Sequence, residues 1–162
     1  ANIPFLLAGS KELGFEPGMR CDRPVCLEDL LPTLAELAGA KCPAVDGVSL
    51  VPTLRGHKQV IREQLHFEHA PCYSRDQAYH ALTDGRHKYI WRPTDGRERL
   101  FDLAADPCEE HNLAGDPAAA RLLETWRSRM VRRLAPRPEG FSDGKQLIPG
   151  RPYKPLMAGV HT

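Results

Sequence analysis

The sequence predicts an α+β fold in which a small antiparallel β-sheet of three to four strands packs with a C-terminal helix. Residues 78–83 and 86–92 alternate between apolar and polar side chains and are joined by Asp84-Gly85. This pattern indicates a tight hairpin, because a type I′ turn needs positive φ at both positions. Between residues 119 and 134, apolar residues recur every three or four positions, as in a helix with one buried face. The chain of 162 residues is long enough to bury a modest core.

Two further segments complete the predicted sheet. Residues 64–69 alternate, and residues 98–103 follow a second turn at 94–96. Large side chains on these strands are expected to supply the bulk of one face. They are Tyr89, Trp91, Phe101 and Leu103.

The N-terminal part is predicted to hold an apolar strand at residues 3–8 and a helix at 28–38. Nothing polar alternates within 3–8, which indicates a strand covered on both faces, as in a parallel sheet. Because its partner strands are not evident in the chain, its faces would be exposed in isolation, and we expect either self-association or a poorly ordered N-terminal segment. The helix carries an apolar stripe and ends at Gly39, a residue that suits a left-handed helix terminus. The stripe is formed by Leu27, Leu30, Leu31, Leu34, Leu37 and Ala38.

The C-terminal helix is predicted over residues 117–135. Asp116 can accept a hydrogen bond from the free N–H groups of the first turn, and Pro117 suits the first helical position. Pro136 ends the helix. Residues 136–162 form a Pro/Gly-rich tail without periodicity, which we expect to be extended, either wrapping a larger body or disordered.

Charge and hydropathy argue against two kinds of partner, nucleic acid and the membrane interior. The chain has 22 Lys and Arg against 21 Asp and Glu, without a long run of one sign, so a nucleic-acid surface is not indicated. No apolar run approaches the roughly 20 residues of a membrane span. The sequence shows no signal peptide and leaves the compartment open.

The five cysteines are Cys21, Cys26, Cys42, Cys72 and Cys108. An odd number cannot all pair within one chain, and the spacings are not those of a disulfide scaffold or a zinc ribbon. Reduced or partly buried thiols are the preferred interpretation, although a bridge between Cys21 and Cys26 stays open.

Several local patterns, taken in chain order, resemble the C-terminal region of the sulfatase family within the alkaline-phosphatase superfamily. They are the segments 30–39, 46–56, 84–90 and 100–114, with a weaker likeness at 141–153. The resemblance implies that residues 1–61 are the end of a large α/β domain. It makes residues 62–135 the small C-terminal subdomain, and residues 136–162 an extended tail. The remainder of the large domain is the partner that it implies.

The resemblance also implies a chemistry. Sulfatases use a formylglycine made within a Cys/Ser-x-Pro/Ala-x-Arg motif and a calcium ion held by side-chain ligands. No cysteine or serine of this chain has the Pro/Ala and Arg at those offsets, and the family's metal-binding acids have no counterpart. We therefore expect no catalytic residue, metal ligand or cofactor in this chain, with calcium and formylglycine supplied by the full-length parent. The chain alone is expected to be inactive.

The residues expected to help bind substrate are His69, Tyr73 and Arg75. The resemblance places the segment 68–79 at the rim of the substrate pocket, where a sulfated small molecule or carbohydrate would lie, and an Arg fork suits an oxyanion. His66 and His69 are not expected to form a metal pair, because strand positions three apart point to opposite faces. Two alternatives remain: a fragment of a phosphonate monoester or phosphodiester hydrolase, and a non-catalytic binding or assembly module.

Overall fold

The structure is a computed structural model that describes residues 4–58, 60–71 and 75–152. It divides into two compact units, the first ending at Glu63 and the second beginning at Gln64. Residues 4–8, part of the segment expected to form a strand, have no regular secondary structure in this chain, and Leu6 is 92% exposed. A strand is stabilised by hydrogen bonds to a neighbour, and an apolar sequence alone does not supply one.

The second unit contains a four-stranded antiparallel sheet with its strands in chain order. The strands are β1 (Leu65–His69), β2 (Tyr79–Thr83), β3 (His87–Trp91) and β4 (Glu98–Asp102). The predicted turn at Asp84-Gly85 forms, but not as type I′. Gly85 has φ of 95°, whereas Glu109 is the only non-glycine residue with positive φ in the described ranges. Instead, the Asp84 carboxylate accepts hydrogen bonds from the N–H groups of Arg86 and His87 at 2.9 and 2.7 Å.

One face of the sheet packs against the helix α3 (Ala120–Leu134). Tyr89 pairs with Leu100 across β3 and β4, so Leu100 lies on the core face. Phe101 therefore points to the opposite face, where it is also buried, which corrects the expectation that it joins Tyr89 and Trp91. The fully or almost fully buried core comprises Leu82, Tyr89, Trp91, Leu100, Leu123, Trp126, Met130, Leu134 and Phe141.

The start of α3 agrees with the predicted cap. The Asp116 carboxylate accepts a hydrogen bond from the Ala118 N–H at 2.9 Å, and a 3-10 turn at Pro117–Ala119 leads into the helix. The chain after α3 differs from the expected extended tail, because Phe141 is completely buried in the core and Ser142 bridges to Leu147. The buried Phe141 ring and a hydrogen bond of 2.8 Å from the Gly150 N–H to the Pro93 carbonyl connect this segment to the rest of the second unit.

The first unit contains α1 (Leu30–Leu37) and α2 (Val51–Leu54), and a buried carboxylate organises it. The Asp29 side chain accepts hydrogen bonds from the N–H groups of Cys26 and Val48, both at 2.9 Å, and forms an ion pair with Arg62. Burial acts to raise the pKa of Asp29, but the hydrogen bonds from Arg62, Val48 and Cys26 outweigh it and lower the pKa below its usual value. Polar contacts at Asp29 therefore tie together three segments of this unit, alongside the buried apolar residues Leu50 and Val51.

The described cysteines are free thiols, including both Cys21 and Cys26, and Cys72 lies outside the described residues. The Cys21–Cys26 bridge that the sequence left open is not formed.

Within the described ranges, none of the helices has the length and apolar character needed to cross a membrane.

Candidate functional site

Of the three predicted substrate-binding residues, His69 is the one whose side chain the structure describes. It ends β1 opposite Tyr79, and the two rings stack with their centroids 5.7 Å apart. Its Nδ1 atom is buried and has no hydrogen-bond partner among the described residues. Arg75 begins a 3-10 helix at Arg75–Gln77, and Tyr73 lies outside the described residues. Whether the three side chains converge stays a prediction.

The opposite face of β1 and β2 carries a cluster that the sequence did not reveal. Glu68 pairs with His80 across the two strands, and His66 lies two residues before Glu68 on the same face. The Nδ1 atom of His80 lies 3.1 Å from a Glu68 carboxylate oxygen and 3.3 Å from the Nε2 atom of His66. One nitrogen or oxygen from each of the three residues therefore lies within 4.8 Å of the others. We call His66, Glu68 and His80 the His–Glu–His cluster.

Both imidazoles of the cluster are kept neutral at neutral pH. Burial lowers the pKa of His66 to about 4. Positive charge on His80, when that ring is protonated, and on Arg133 lowers the pKa in the same direction. Burial also lowers the pKa of His80 to about 4, although the Glu68 carboxylate opposes the shift. The His80 ring is completely buried between the rings of Trp91 and Phe141, which lie 6.1 and 5.4 Å away between centroids.

Arg137, just after α3, connects the cluster to the tail. Its guanidinium donates to both oxygens of Glu68 at 2.6 and 3.2 Å and to both oxygens of Glu139 at 2.6 and 3.2 Å. The hydrogen bond to Glu139, followed by that to Glu68, raises the pKa of Arg137 despite its partial burial. Arg137 therefore pairs with Glu139 as well as with Glu68 of the cluster.

Only part of this cluster could be predicted from the sequence. The expectation that His66 and His69 do not form a metal pair rested on their spacing along a strand, and the register places them on opposite faces, since they pair with Leu82 and Tyr79 respectively. The overlooked feature is the His-x-Glu alternation of His66 and Glu68, which puts two ligands on one face. The third ligand, His80, depends on the pairing register of β2, which the sequence did not fix.

A second group of potential ligands is formed by Asp106, Glu110 and His111. The two oxygens of Asp106 accept hydrogen bonds from the N–H groups of Glu110 and His111, so they hold a loop. Calcium takes six to eight oxygen ligands. In the described parts of the chain neither group offers such a set, and the residues present do not fit the calcium site that the family resemblance implies for the parent.

The first unit presents an apolar surface along α1 and the turn before it. Leu27, Leu31 and Leu34 are 72%, 53% and 56% exposed, and they follow one another at helical spacing. The residues of α1 that are buried are Pro32 and Thr33. The predicted stripe therefore exists, but much of it faces outward; we call these three leucines the leucine stripe.

Comparison with known proteins gives a consistent match. The family model described as N-sulphoglucosamine sulphohydrolase, C-terminal, matches residues 2–135. An arylsulfatase of Clostridium perfringens is 30% identical over 96% of this chain and 32% of its own length. The chain spans less than a third of the length of the curated relatives it matches first.

Solved structures agree with the sequence match. A crystal structure of a putative sulfatase from Bacteroides thetaiotaomicron superposes with a TM-score of 0.63 at 31% identity, covering 82% of this chain and 30% of that one. A phosphonate monoester hydrolase from Silicibacter pomeroyi superposes with a TM-score of 0.64 at 28% identity, covering 76% of this chain and 27% of that one.

Proposed function

Because this chain belongs to the sulfatase family, as the C-terminal portion of such a protein, we propose that it completes the fold of a sulfuric ester hydrolase and forms one wall of its substrate pocket. The observation that carries the proposal is the leucine stripe, an exposed apolar surface. It lies on a chain that spans less than a third of the length of its relatives. The substrate would be a sulfated small molecule or carbohydrate.

The leucine stripe is the surface that would dock on the catalytic domain. Fully covering a leucine side chain stabilises an assembly by about 1.5–3 kcal/mol before the cost of association is counted. Three leucines in one row, each more than half exposed, form a contiguous apolar surface of the kind that marks interaction sites.

The isolated chain would not cleave sulfate esters. Cleavage needs a positioned nucleophile and a cation that offsets the charge developing on oxygen and sulfur. The formylglycine motif is absent from the 162 residues, so the parent enzyme would supply both the nucleophile and the calcium.

His69 would contribute to the pocket wall together with Tyr73 and Arg75. Its buried Nδ1 atom, without a partner among the described residues, could hydrogen-bond to the organic part of a substrate. Burying a polar atom without a hydrogen bond costs about 1–3 kcal/mol, which a bound substrate would recover.

The test compares the full chain alone with the chain fused to a catalytic domain. In the fusion, this chain replaces the segment of the Clostridium perfringens arylsulfatase that it matches. We expect no turnover of an aryl sulfate by the chain alone and turnover by the fusion. Leu31→Lys with Leu34→Lys should abolish the activity of the fusion, whereas Glu36→Lys, on the same helix and also exposed, should preserve it.

Two results would contradict the proposal. One is turnover by the chain alone at the rate of the intact arylsulfatase. The other is an active fusion that tolerates the double leucine substitution. For the pocket wall, His69→Ala in the fusion should raise KM more than it lowers kcat, and His111→Ala, which alters an exposed histidine, should change neither.

A second candidate keeps the superfamily and changes the ester. The superposition with a phosphonate monoester hydrolase is as good as that with the sulfatase, so the parent enzyme could act on phosphonate monoesters. The nucleophile that would distinguish the two reactions lies outside this C-terminal portion. Measuring the activity of the natural full-length enzyme on an aryl sulfate and on an aryl phosphonate distinguishes a sulfatase from a phosphonate monoester hydrolase.

A further inference from the structure

We propose that the His–Glu–His cluster binds a zinc ion, with the Nε2 atom of His66, the Nδ1 atom of His80 and one carboxylate oxygen of Glu68 as ligands. The site is independent of the proposed sulfatase function. It lies in the small sheet of the second unit, on the face opposite to His69.

Two of the three distances between the ligand atoms suit tetrahedral zinc, and the third lies within 4.8 Å. Two ligand atoms that each lie about 2.0–2.1 Å from the ion at a tetrahedral angle are about 3.3–3.4 Å apart. The two imidazole nitrogens are 3.3 Å apart, and the carboxylate oxygen is 3.1 Å from His80 Nδ1. To bind an ion, the three side chains would turn their lone pairs toward a common point, while the pairing of β1 with β2 would stay as it is.

The kind of ligand favours zinc over calcium, magnesium and thiolate-seeking ions. Two imidazole nitrogens and one carboxylate oxygen are a set that zinc uses in proteins, and a fourth position is left for water. Calcium and magnesium prefer oxygen ligands, and soft thiolate-seeking ions would be drawn to sulfur. The described free cysteines lie outside the cluster.

Both histidines can bind the ion as neutral imidazoles, with the proton of each ring on the nitrogen that is not a ligand. In the metal-free protein, one ring nitrogen donates a hydrogen bond to the other between His66 and His80. To bind the ion, His66 carries its proton on Nδ1 and His80 carries its proton on Nε2, so each imidazole stays neutral and both ligand nitrogens present a lone pair.

Arg137 is the competitor for Glu68, and Arg133 adds positive charge near His66. Zinc would take the Glu68 oxygen from the guanidinium. Arg137 would keep its two hydrogen bonds to Glu139, so it would not be left as an unpaired charge. The ion would tie the edge strand β1 to β2, and its expected role is structural.

The test uses the full chain with its thiols alkylated and zinc as the probe. Zinc binding is measured by competition with a chromophoric chelator, and stability by thermal unfolding. We expect one zinc ion per chain and a melting temperature that rises with zinc concentration, since a ligand that binds the folded state stabilises it. His66→Gln and Glu68→Gln should each weaken binding by about 10-fold or more. His111→Gln, in an exposed group, should bind zinc as the unaltered chain does.

A spectroscopic measurement keeps the test decisive if a variant fails to fold. Cobalt(II) bound to the unaltered chain should give the absorption of a tetrahedral site with nitrogen and oxygen ligands. Zinc should also shift the imidazole ¹⁵N resonances of His66 and His80. The proposal is overturned if no ion binds at one equivalent, if the cobalt spectrum is that of an octahedral, solvent-like ion, or if folded His66→Gln and Glu68→Gln variants bind zinc as tightly as the control.

Discussion

The two units of the molecule are stabilised in different ways. The second unit buries an apolar core that includes Tyr89, Trp91 and Trp126, each at most 1% exposed. The first unit buries Asp29 and Thr33 completely, and its leucine stripe faces outward. Apolar burial is non-directional and tolerates adjustment, whereas a buried carboxylate depends on every hydrogen bond it makes. The second unit therefore has the core of a small domain. The first unit has a buried polar centre at Asp29 and Thr33 and an exposed leucine stripe.

This difference agrees with the proposed role of the chain. A unit that docks on a larger body can leave its apolar surface outside and use polar contacts to fix its loops. In the first unit, the Thr33 hydroxyl donates to the Asp29 carbonyl at 2.5 Å and accepts from the Leu50 N–H at 2.9 Å. These bonds set the backbone path around α1 without a large core.

The largest effect is expected in the core of the second unit. Trp126→Ala should lower the free energy of unfolding of this unit by about 3–5 kcal/mol, because it removes a completely buried ring and leaves a cavity. The measurement is chemical denaturation followed by far-ultraviolet circular dichroism. Arg132→Ala, an exposed change on the same helix, is the control and should stay within about 0.5 kcal/mol of the unaltered chain. Equal effects of the two changes would show that α3 does not carry the core.

A smaller and more local effect is expected in the first unit. Asp29→Ala leaves Arg62 without its buried partner, and breaking such a pair costs about 3 kcal/mol. Hydrogen exchange of the Val48 N–H, which donates to Asp29, should accelerate, while amides of β3 should keep their protection. Asp22→Ala removes an exposed ion pair with Arg20 and is the matched control. Loss of protection in both units would mean that they unfold together.

The smallest effect is expected on acidification. The pKa of Asp29 is lowered in the folded state, so its contribution to stability is present above the unfolded value of about 4 and is lost as the pH falls through the folded value. The amide resonance of Val48 should therefore shift at a pH below 4, when its acceptor is protonated. In the second unit the pKa of Glu98 is also lowered: burial opposes the shift, but hydrogen bonds from Arg127 and Tyr89 outweigh it. Because an apolar core supports that unit, its circular dichroism should change at a lower pH than the Val48 resonance. The reverse order would contradict the distinction between the units.

Local sequence determined the secondary structure well where the signals are short-range. The cap at Asp116, the stripe of α3 and the alternation of the strands predicted the α+β fold, because each depends on neighbouring residues. The segment at residues 3–8 shows the limit of this reasoning. Its composition is that of a buried strand, but a strand forms only beside a partner.

The candidate sites depended on tertiary structure to a greater extent. The family resemblance pointed to His69, but the sequence did not predict the His–Glu–His cluster. The alternation of β1 puts His66 and Glu68 on one face, but it does not show which residue of β2 pairs with them. Tertiary structure decided that Glu68 pairs with His80, that Leu100 and not Phe101 faces α3, and that Phe141 folds back into the core. The physical reason is that strand register and the return of the chain are fixed by the packing of distant side chains, whereas turns, caps and periodicity are fixed by the geometry of adjacent residues.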